Sequence, residues 1–198
     1  MRIIAGTFRS RPLQAPAGLA TRPSSDRLRE TLFNVLAPRI AGAAFLDLYA
    51  GSGAIGIEAI SRGAAHVTFV EHAPAALKVL RANLVSLGIT AGVNLHTASV
   101  ASFLRKPRPG TPAFNSAAAF NIVFLDPPYD AADEYAATLR LLGAPSSTLL
   151  APGALVIAEH RRKQQLDPRY GALHRTRLLE QGDAALSFYA PQTAPDPD

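Results

Sequence analysis

Two short stretches of this chain carry residue types able to do chemistry. One is Asp126-Pro127-Pro128-Tyr129, which directly follows the apolar run Asn121–Leu125. Two successive prolines have no amide hydrogen and a fixed φ, so neighbouring carbonyls become rigid outward acceptors. A carboxylate plus a fixed carbonyl can take both hydrogens of an aromatic amino group, drawing its nitrogen toward tetrahedral geometry and freeing the lone pair for attack. Tyr129 offers a flat face for an unstacked base. The other stretch is Asp47-Leu-Tyr49-Ala50-Gly51-Ser52-Gly53-Ala-Ile-Gly56, with Glu71 twenty residues beyond Gly51. Glycines between a strand and a helix let backbone approach a ligand and leave amides free at the helix N-terminus. An acid at the end of the next strand can accept both ribose hydroxyls. The spacing is that of GxGxxG, so a nicotinamide or flavin dinucleotide competes for this site. Asp47 favours a different ligand: a carboxylate beside the loop repels pyrophosphate and suits a cationic, zwitterionic molecule such as S-adenosylmethionine.

The elements that must position these residues follow from periodicity. Short apolar strands are expected at 45–49, 67–71, 93–96, 121–126 and 154–159, alternating with helices that end near Arg62, Gly88, Arg105 and Leu142. Two further strands near 173–180 and 184–190 close on Gly182-Asp183. Such alternation implies a mostly parallel α/β sheet with helices on both faces, seven-stranded and Rossmann-like, with an antiparallel edge hairpin. Ligands in such sheets bind beyond the carboxyl ends of the strands, so the chemistry should gather at Asp47–Gly53, Glu71–His72, His96–Ser99, Asp126–Tyr129 and Glu159–His160. Before residue 41, Ile3-Ile4, Phe8 and Leu13 suggest a short hairpin. Ser24-Ser25-Asp26 then caps an amphipathic helix of about three turns that should stop before Pro38. We therefore expect an extension over 1–40, a catalytic domain over 41–190 and a disordered tail over 191–198.

Composition narrows the classes. The chain has 198 residues, 48% hydrophobic and 18% charged, which is a folded globular composition. It has no cysteine, which excludes disulfides, thiolate zinc sites and cysteine nucleophiles. The five histidines do not cluster at ligand spacing, so no metal is expected. No apolar run approaches the roughly 20 residues that cross a bilayer, and MRIIAGTFRSRP lacks a secretory apolar stretch. A cytoplasmic location is the expectation, with no membrane contact. The net charge of +5 is wholly accounted for by residues 1–40, which hold seven arginines against Asp26 and Glu30. A basic segment on a neutral body suits either a polyanion partner or a solvated arm.

The glycine loop and DPPY together look like the amino-methyltransferase branch of class I S-adenosylmethionine-dependent methyltransferases. The N-terminal text narrows the likeness. Arg2-Ile-Ile-Ala-Gly6, Arg9-Ser-Arg11-Pro-Leu13 and Arg22-Pro-Ser-Ser-Asp26-Arg27-Leu-Arg29-Glu30-Thr-Leu-Phe33-Asn34-Val-Leu36 closely resemble the RsmD family, the bacterial 16S rRNA (guanine(966)-N2)-methyltransferases. The likeness runs from residue 2 to about 190. It implies direct in-line methyl transfer from S-adenosylmethionine to the exocyclic N2 amino group of a guanine in 16S rRNA, leaving S-adenosylhomocysteine. It implies that Asp47, Gly51 and Gly53 hold the methionine part of the cofactor, with Tyr49, Ala50, Ser52 and His72 around it, and that Glu71 holds the ribose. Asp126, Pro127, Pro128 and Tyr129 would seat the guanine amino group. Arg9, Arg11, Arg22, Arg27 and Arg29 would meet RNA phosphates or a neighbouring ribosomal protein. The partner would be 16S rRNA, within the small ribosomal subunit or an assembly intermediate, met by a monomer. Ser99 stands where relatives usually offer Asp or Asn to the adenine, a weaker acceptor. The rival readings are a DNA adenine or cytosine amino-methyltransferase, a dinucleotide oxidoreductase and a non-catalytic rRNA-binding assembly factor.

Overall fold

The computed structural model describes residues 1–15, 23–106, 119–128 and 132–192, without the side chains of 23–25 and 132. In chain order the elements are α1 (Pro23–Ile40), β1 (Ala44–Leu48), α2 (Ala54–Ser61), β2 (His66–Glu71), α3 (Pro74–Ser86), β3 (Val93–Thr97), α4 (Val100–Arg105), β4 (Phe120–Leu125), α5 (Ala132–Leu142), β5 (Leu150–Arg161), β6 (Arg169–Tyr170), β7 (Leu173–Gln181) and β8 (Ala184–Pro191). They build one sheet of order β3-β2-β1-β4-β5-β8-β7-β6. Strands β1 to β5 are parallel, and β8, β7 and β6 continue antiparallel beyond β5. The expected seven strands thus become eight. The addition is the two-residue β6, which lies against β7 through Arg169 and Tyr170 at the sheet edge and is too short to leave a period-two pattern in the sequence.

Strand residues alternate between two cores. Phe45, Val67, Phe69, Ile122, Phe124 and Ile157 pack with α1, α2 and α3. Leu46, Leu48, Val70, Val123, Leu125 and Val156 pack with α4 and α5. Sheet order reverses direction between β1 and β4, and the crevice at that switch opens at the carboxyl ends, where ligands of doubly wound sheets bind.

Two N-terminal expectations change. α1 runs through Pro38 instead of stopping before it. Leu36 and Ile40, one turn apart, are both buried, and Pro38 lies on the exposed side, so only one backbone bond is forfeited where water can replace it. The expected hairpin is a single bridge between Arg2 and Pro12, flanked by Ile3 N–H to Arg11 O and Leu13 N–H to Met1 O, both 3.0 Å; Pro12 has no amide to extend a ladder. The extension also shares the first core, to which Ile3, Leu13, Leu28, Leu32 and Phe33 belong. At the other end, β8 includes Pro191, and Gln192 N–H donates to Ala172 O at 2.8 Å; the rest of the expected tail lies outside the described residues.

Candidate active site

Four carboxyl residues stand at or next to the carboxyl ends of neighbouring parallel strands. Asp47 of β1 pairs in register with Phe69 of β2 and Phe124 of β4. Leu125 pairs with Ala158 of β5, so Asp126 and Glu159, each one residue further, are next to each other across the two strands. Glu71 ends β2. Alternation turns all four toward the face covered by α1 to α3.

This cluster is short of positive charge. Asp47 is 2% exposed, and its carboxylate accepts the Gly56 amide at 2.9 Å. Burial raises its pKa to about 8, the Gly56 bond opposes the rise and nearby Glu71 adds to it. Asp126, partly buried, is pushed well above the usual carboxylate range by desolvation first, then by Glu159 and Asp47. Burial carries Glu159 up to about 7 against the pull of Arg29. Carboxyls that cannot all ionise together form a place where a cation would replace protons. The residues therefore fit a ligand with a sulfonium and an ammonium group.

The glycine loop differs from the expectation that its amides are free. Gly51 N–H donates to Glu71 Oε2 at 2.9 Å, Gly53 N–H to Ala50 O at 2.7 Å and Gly56 N–H to Asp47. A loop that spends its donors on its own carboxylates has little left for a pyrophosphate, which argues against the dinucleotide reading. The other Glu71 oxygen accepts the amides of His72 at 2.7 Å and Ala73 at 2.8 Å. Three of roughly four acceptor positions on that carboxylate are filled, leaving room for about one hydroxyl hydrogen. Gly53 sits at φ 79°, and a Cβ there would come within 2.1 Å of Leu80 Cδ1; only glycine fits. Gly51 has φ 56° with open space around it.

Other expected cofactor residues are already engaged. Tyr49, left-handed at φ 61°, sends its hydroxyl to α5, where it donates to Glu134 Oε2 and also bonds Thr138 Oγ1, both at 2.7 Å. It clamps the loop to the opposite face. Ala50 N–H donates to Val70 O, and Ser52 O accepts from Asn83. Ser99 caps α4, accepting Ser102 N–H at 3.2 Å, so its hydroxyl is already partly used as an acceptor. His72 is exposed beside Glu71, Nδ1 to Oε1 3.6 Å. Pro127 is buried and Pro128 exposed. Tyr129 lies outside the described residues.

The five expected RNA-contacting arginines do not form one surface. Arg9 and Arg27 line an open notch of about 450 Å³, joined by Arg2 and by the acids Asp26 and Glu30. Arg11 instead reaches the C-terminal end of α3 and donates to Ser86 O at 3.0 Å. Arg22 lies outside the described residues. Arg29 must be corrected: it is 4% exposed, donates to Asp26 at 2.9 Å and to Arg2 O and approaches Glu58 at 3.9 Å. It is a structural cation, unable to meet a phosphate. Its place on α1 explains this, since Leu28, Leu32, Phe33 and Leu36 put the same side of the helix in the core.

Two residues outside the expected site, Glu58 and Asn83, turn out to matter, as does Glu159, an expected strand end with no role assigned to it. Glu159 joins the carboxyl cluster. Glu58, fully buried, accepts the amides of Ile4 and Ala5 at 2.8 and 3.0 Å and pairs with Arg62 at 2.8 Å. Asn83, 1% exposed, bonds Gln14 N and O and Ser52 O within 3.1 Å, tying the N-terminal segment to the glycine loop. Its signal is a lone amide within the apolar stripe Leu80, Leu84 and Leu87. β5 also runs three residues past its last β4 partner, setting Arg162 and Lys163, both exposed, beyond the carboxyl edge. Among the described residues no helix is long and apolar enough to cross a membrane, and no cluster of three or more His, Cys, Asp or Glu is arranged to hold a metal ion.

The chain resembles known proteins over nearly its whole length. The family described as conserved hypothetical protein 95 matches residues 1–190. Ribosomal RNA small subunit methyltransferase D of Escherichia coli strain K12 is 38% identical over 193 residues, covering 96% of this chain and 89% of that protein. The solved structure of yhhF from Escherichia coli superposes with a TM-score of 0.81 at 34% identity, covering 97% of this chain and 98% of the other. A solved Haemophilus influenzae structure gives 0.76 at 31% identity, with coverage of 97% and 98%.

Proposed function

The chain belongs to the ribosomal RNA small subunit methyltransferase D family, and on that premise we propose that it methylates the exocyclic N2 amino group of a guanine in 16S rRNA with S-adenosylmethionine. The observation that carries the site assignment is the paired placement of Asp47 and Asp126 at the ends of β1 and β4, on one sheet face, in a cluster that asks for a cation. Asp47, with the Gly51–Gly53 loop that Glu71 pins from below, holds the methionine part of the cofactor, and the remaining acceptor of Glu71 takes a ribose hydroxyl. S-adenosylmethionine supplies an electrophilic methyl group on a positively charged sulfur.

The protein's own contribution is alignment and electrostatics. Asp126 and the rigid backbone at Pro127 accept the two hydrogens of the guanine amino group and aim its lone pair. The charge on Asp126 opposes the positive charge that develops on N2. Its carboxylate then takes the N2 proton. Tyr129 gives the extruded base a stacking face, because a base within a helix cannot reach the crevice. Arg9 and Arg27, with Arg2, hold RNA phosphates at the notch. Arg162 and Lys163 extend that contact beyond the carboxyl edge. The substrate is the rRNA within the small subunit or an assembly intermediate, read by its shape.

Mass spectrometry of nucleosides from 16S rRNA tests the reading. Unmodified rRNA, naked or as small subunits, is incubated with the chain and S-adenosylmethionine. N2-methylguanosine should form at one position. Its absence in both substrates overturns the proposal.

A further inference from the structure

Asp126 is one member of a chain of charges that reaches into the N-terminal helix. A carboxyl neighbour on the adjacent strand, Glu159, stands one residue past the last β4–β5 register pair, Leu125 with Ala158. Adjacent strands lie about 4.8 Å apart, so side chains at this position share one face at contact range. Asp47 of β1 pairs with Phe124 and Phe69, so Asp126 and Glu71 each lie two residues further along the neighbouring strands on the same face. From α1, Arg29 faces Glu159. Arg29 is held by Asp26 and Arg2 O, approaches Glu58, and that acid pairs with Arg62 of α2. The Nε of Arg29 is buried without a hydrogen bond and lies 3.9 Å from Glu58 Oε2, and the same cation favours the charged form of Glu159. His160, next in the chain, turns to the other face and bonds Ser187 and Arg161 O.

We propose that Glu159 is a positioning residue of the methyl transfer: side by side with Asp126 and facing the Arg29 cation, it controls when Asp126 can receive the proton released from N2. The inference rests on the function proposed above. In the reaction the N2–methyl bond forms while the methyl–sulfur bond breaks with its electron pair left on sulfur. N2 then carries one positive charge and gives its proton to an Asp126 oxygen. The products are neutral N2-methylguanine and a neutral Asp126 carboxylic acid, which later returns its proton to water. An ionised Glu159 makes Asp126 a stronger base, because two adjacent carboxylates resist joint ionisation. Arg29 favours Glu159 as the member that stays charged. The pair therefore titrates as a unit.

Two measurements test this. In the cofactor-free full chain, carboxyl-carbon NMR follows Asp126 against pH. The wild-type signal should titrate in two steps, one of them shared with Glu159. In Glu159→Gln the Asp126 midpoint should fall by about one pH unit or more, the size of a close charge–charge effect, while Glu159→Asp should retain most of the wild-type behaviour. The pH dependence of kcat on the rRNA substrate should move in the same direction, with a lower plateau in Glu159→Gln. A single-step wild-type titration, or a folded Glu159→Gln chain whose Asp126 midpoint is unmoved, overturns the proposal. A merely structural Glu159 would lower activity without moving the profile. Wild-type chain that forms no N2-methylguanosine sinks the functional reading instead, and the NMR titration still decides whether the pair exists.

Discussion

The Asp47 carboxylate accepts the amide hydrogen of Gly56 at 2.9 Å, so the acid at the end of β1 and the first turn of α2 hold each other. That bond is the best partner Asp47 has in a buried place, and it does not offset the desolvation that raises its pKa to about 8. The resulting tension reads out in stability.

A carboxyl whose folded pKa lies above its unfolded one stabilises the fold fully at low pH. That contribution is lost as pH rises from the unfolded value toward the folded one, because the unfolded chain then holds fewer protons. For Asp47 the window runs from near 4 to about 8. Asp126 and Glu159 act in the same direction. The ligand-free chain should therefore melt several degrees lower at pH 8 than at pH 5. Asp47→Asn should flatten that slope, and S-adenosylmethionine should stabilise wild type more at pH 8. Thermal scans across pH check all three; a melting temperature that rises toward pH 8 contradicts the burial argument.

Asp126 is assigned to the reacting amino group. Asp126→Asn keeps shape and one acceptor but loses charge and basicity. Its kcat should drop about 10²–10³-fold, the scale of losing one preorganised electrostatic contact, with cofactor affinity changed only a few-fold. Calorimetry beside single-turnover methylation separates the two, and unimpaired methylation would remove Asp126 from the mechanism.

The arginines should divide into two classes. Reversing Arg9 and Arg27 to Glu should weaken rRNA binding, reduce the salt slope by about one per lost phosphate contact and leave cofactor affinity and melting temperature alone. Arg29→Met should instead destabilise the fold by about 1–3 kcal/mol, since it removes the donor to Arg2 O and Asp26 while Glu58 keeps Arg62. Binding titrations at several salt concentrations and denaturant melts tell them apart.

The glycines of the loop should also differ. Gly53→Ala must accommodate a Cβ 2.1 Å from Leu80 Cδ1, so it should lower stability by about 1–3 kcal/mol through overpacking and weaken the cofactor. Gly51→Ala has open space and meets only left-handed strain, about 1–2 kcal/mol. A combined Gly53→Ala, Leu80→Ala chain should recover part of the loss, and denaturant unfolding of the four chains measures it.

The sequence by itself determined the parallel α/β order and most strand positions, because buried strands are continuous apolar runs and helices repeat every three to four residues. It also located Asp47, Glu71 and Asp126 at strand ends, since motif spacing fixes which residue follows a strand. What only the tertiary structure decided was which neighbours face each other. Arg29 belongs to the basic stretch that carries the chain's net charge, yet the apolar side of α1 takes it into the core. Glu159 becomes a partner of Asp126 only because β4 and β5 pair with Leu125 opposite Ala158. Asn83 meets Gln14 and Ser52 across sequence gaps of 69 and 31 residues. Local patterns record how a segment folds; register, burial and long-range hydrogen bonds arise only when segments pack, and these set the charge of each group in the crevice.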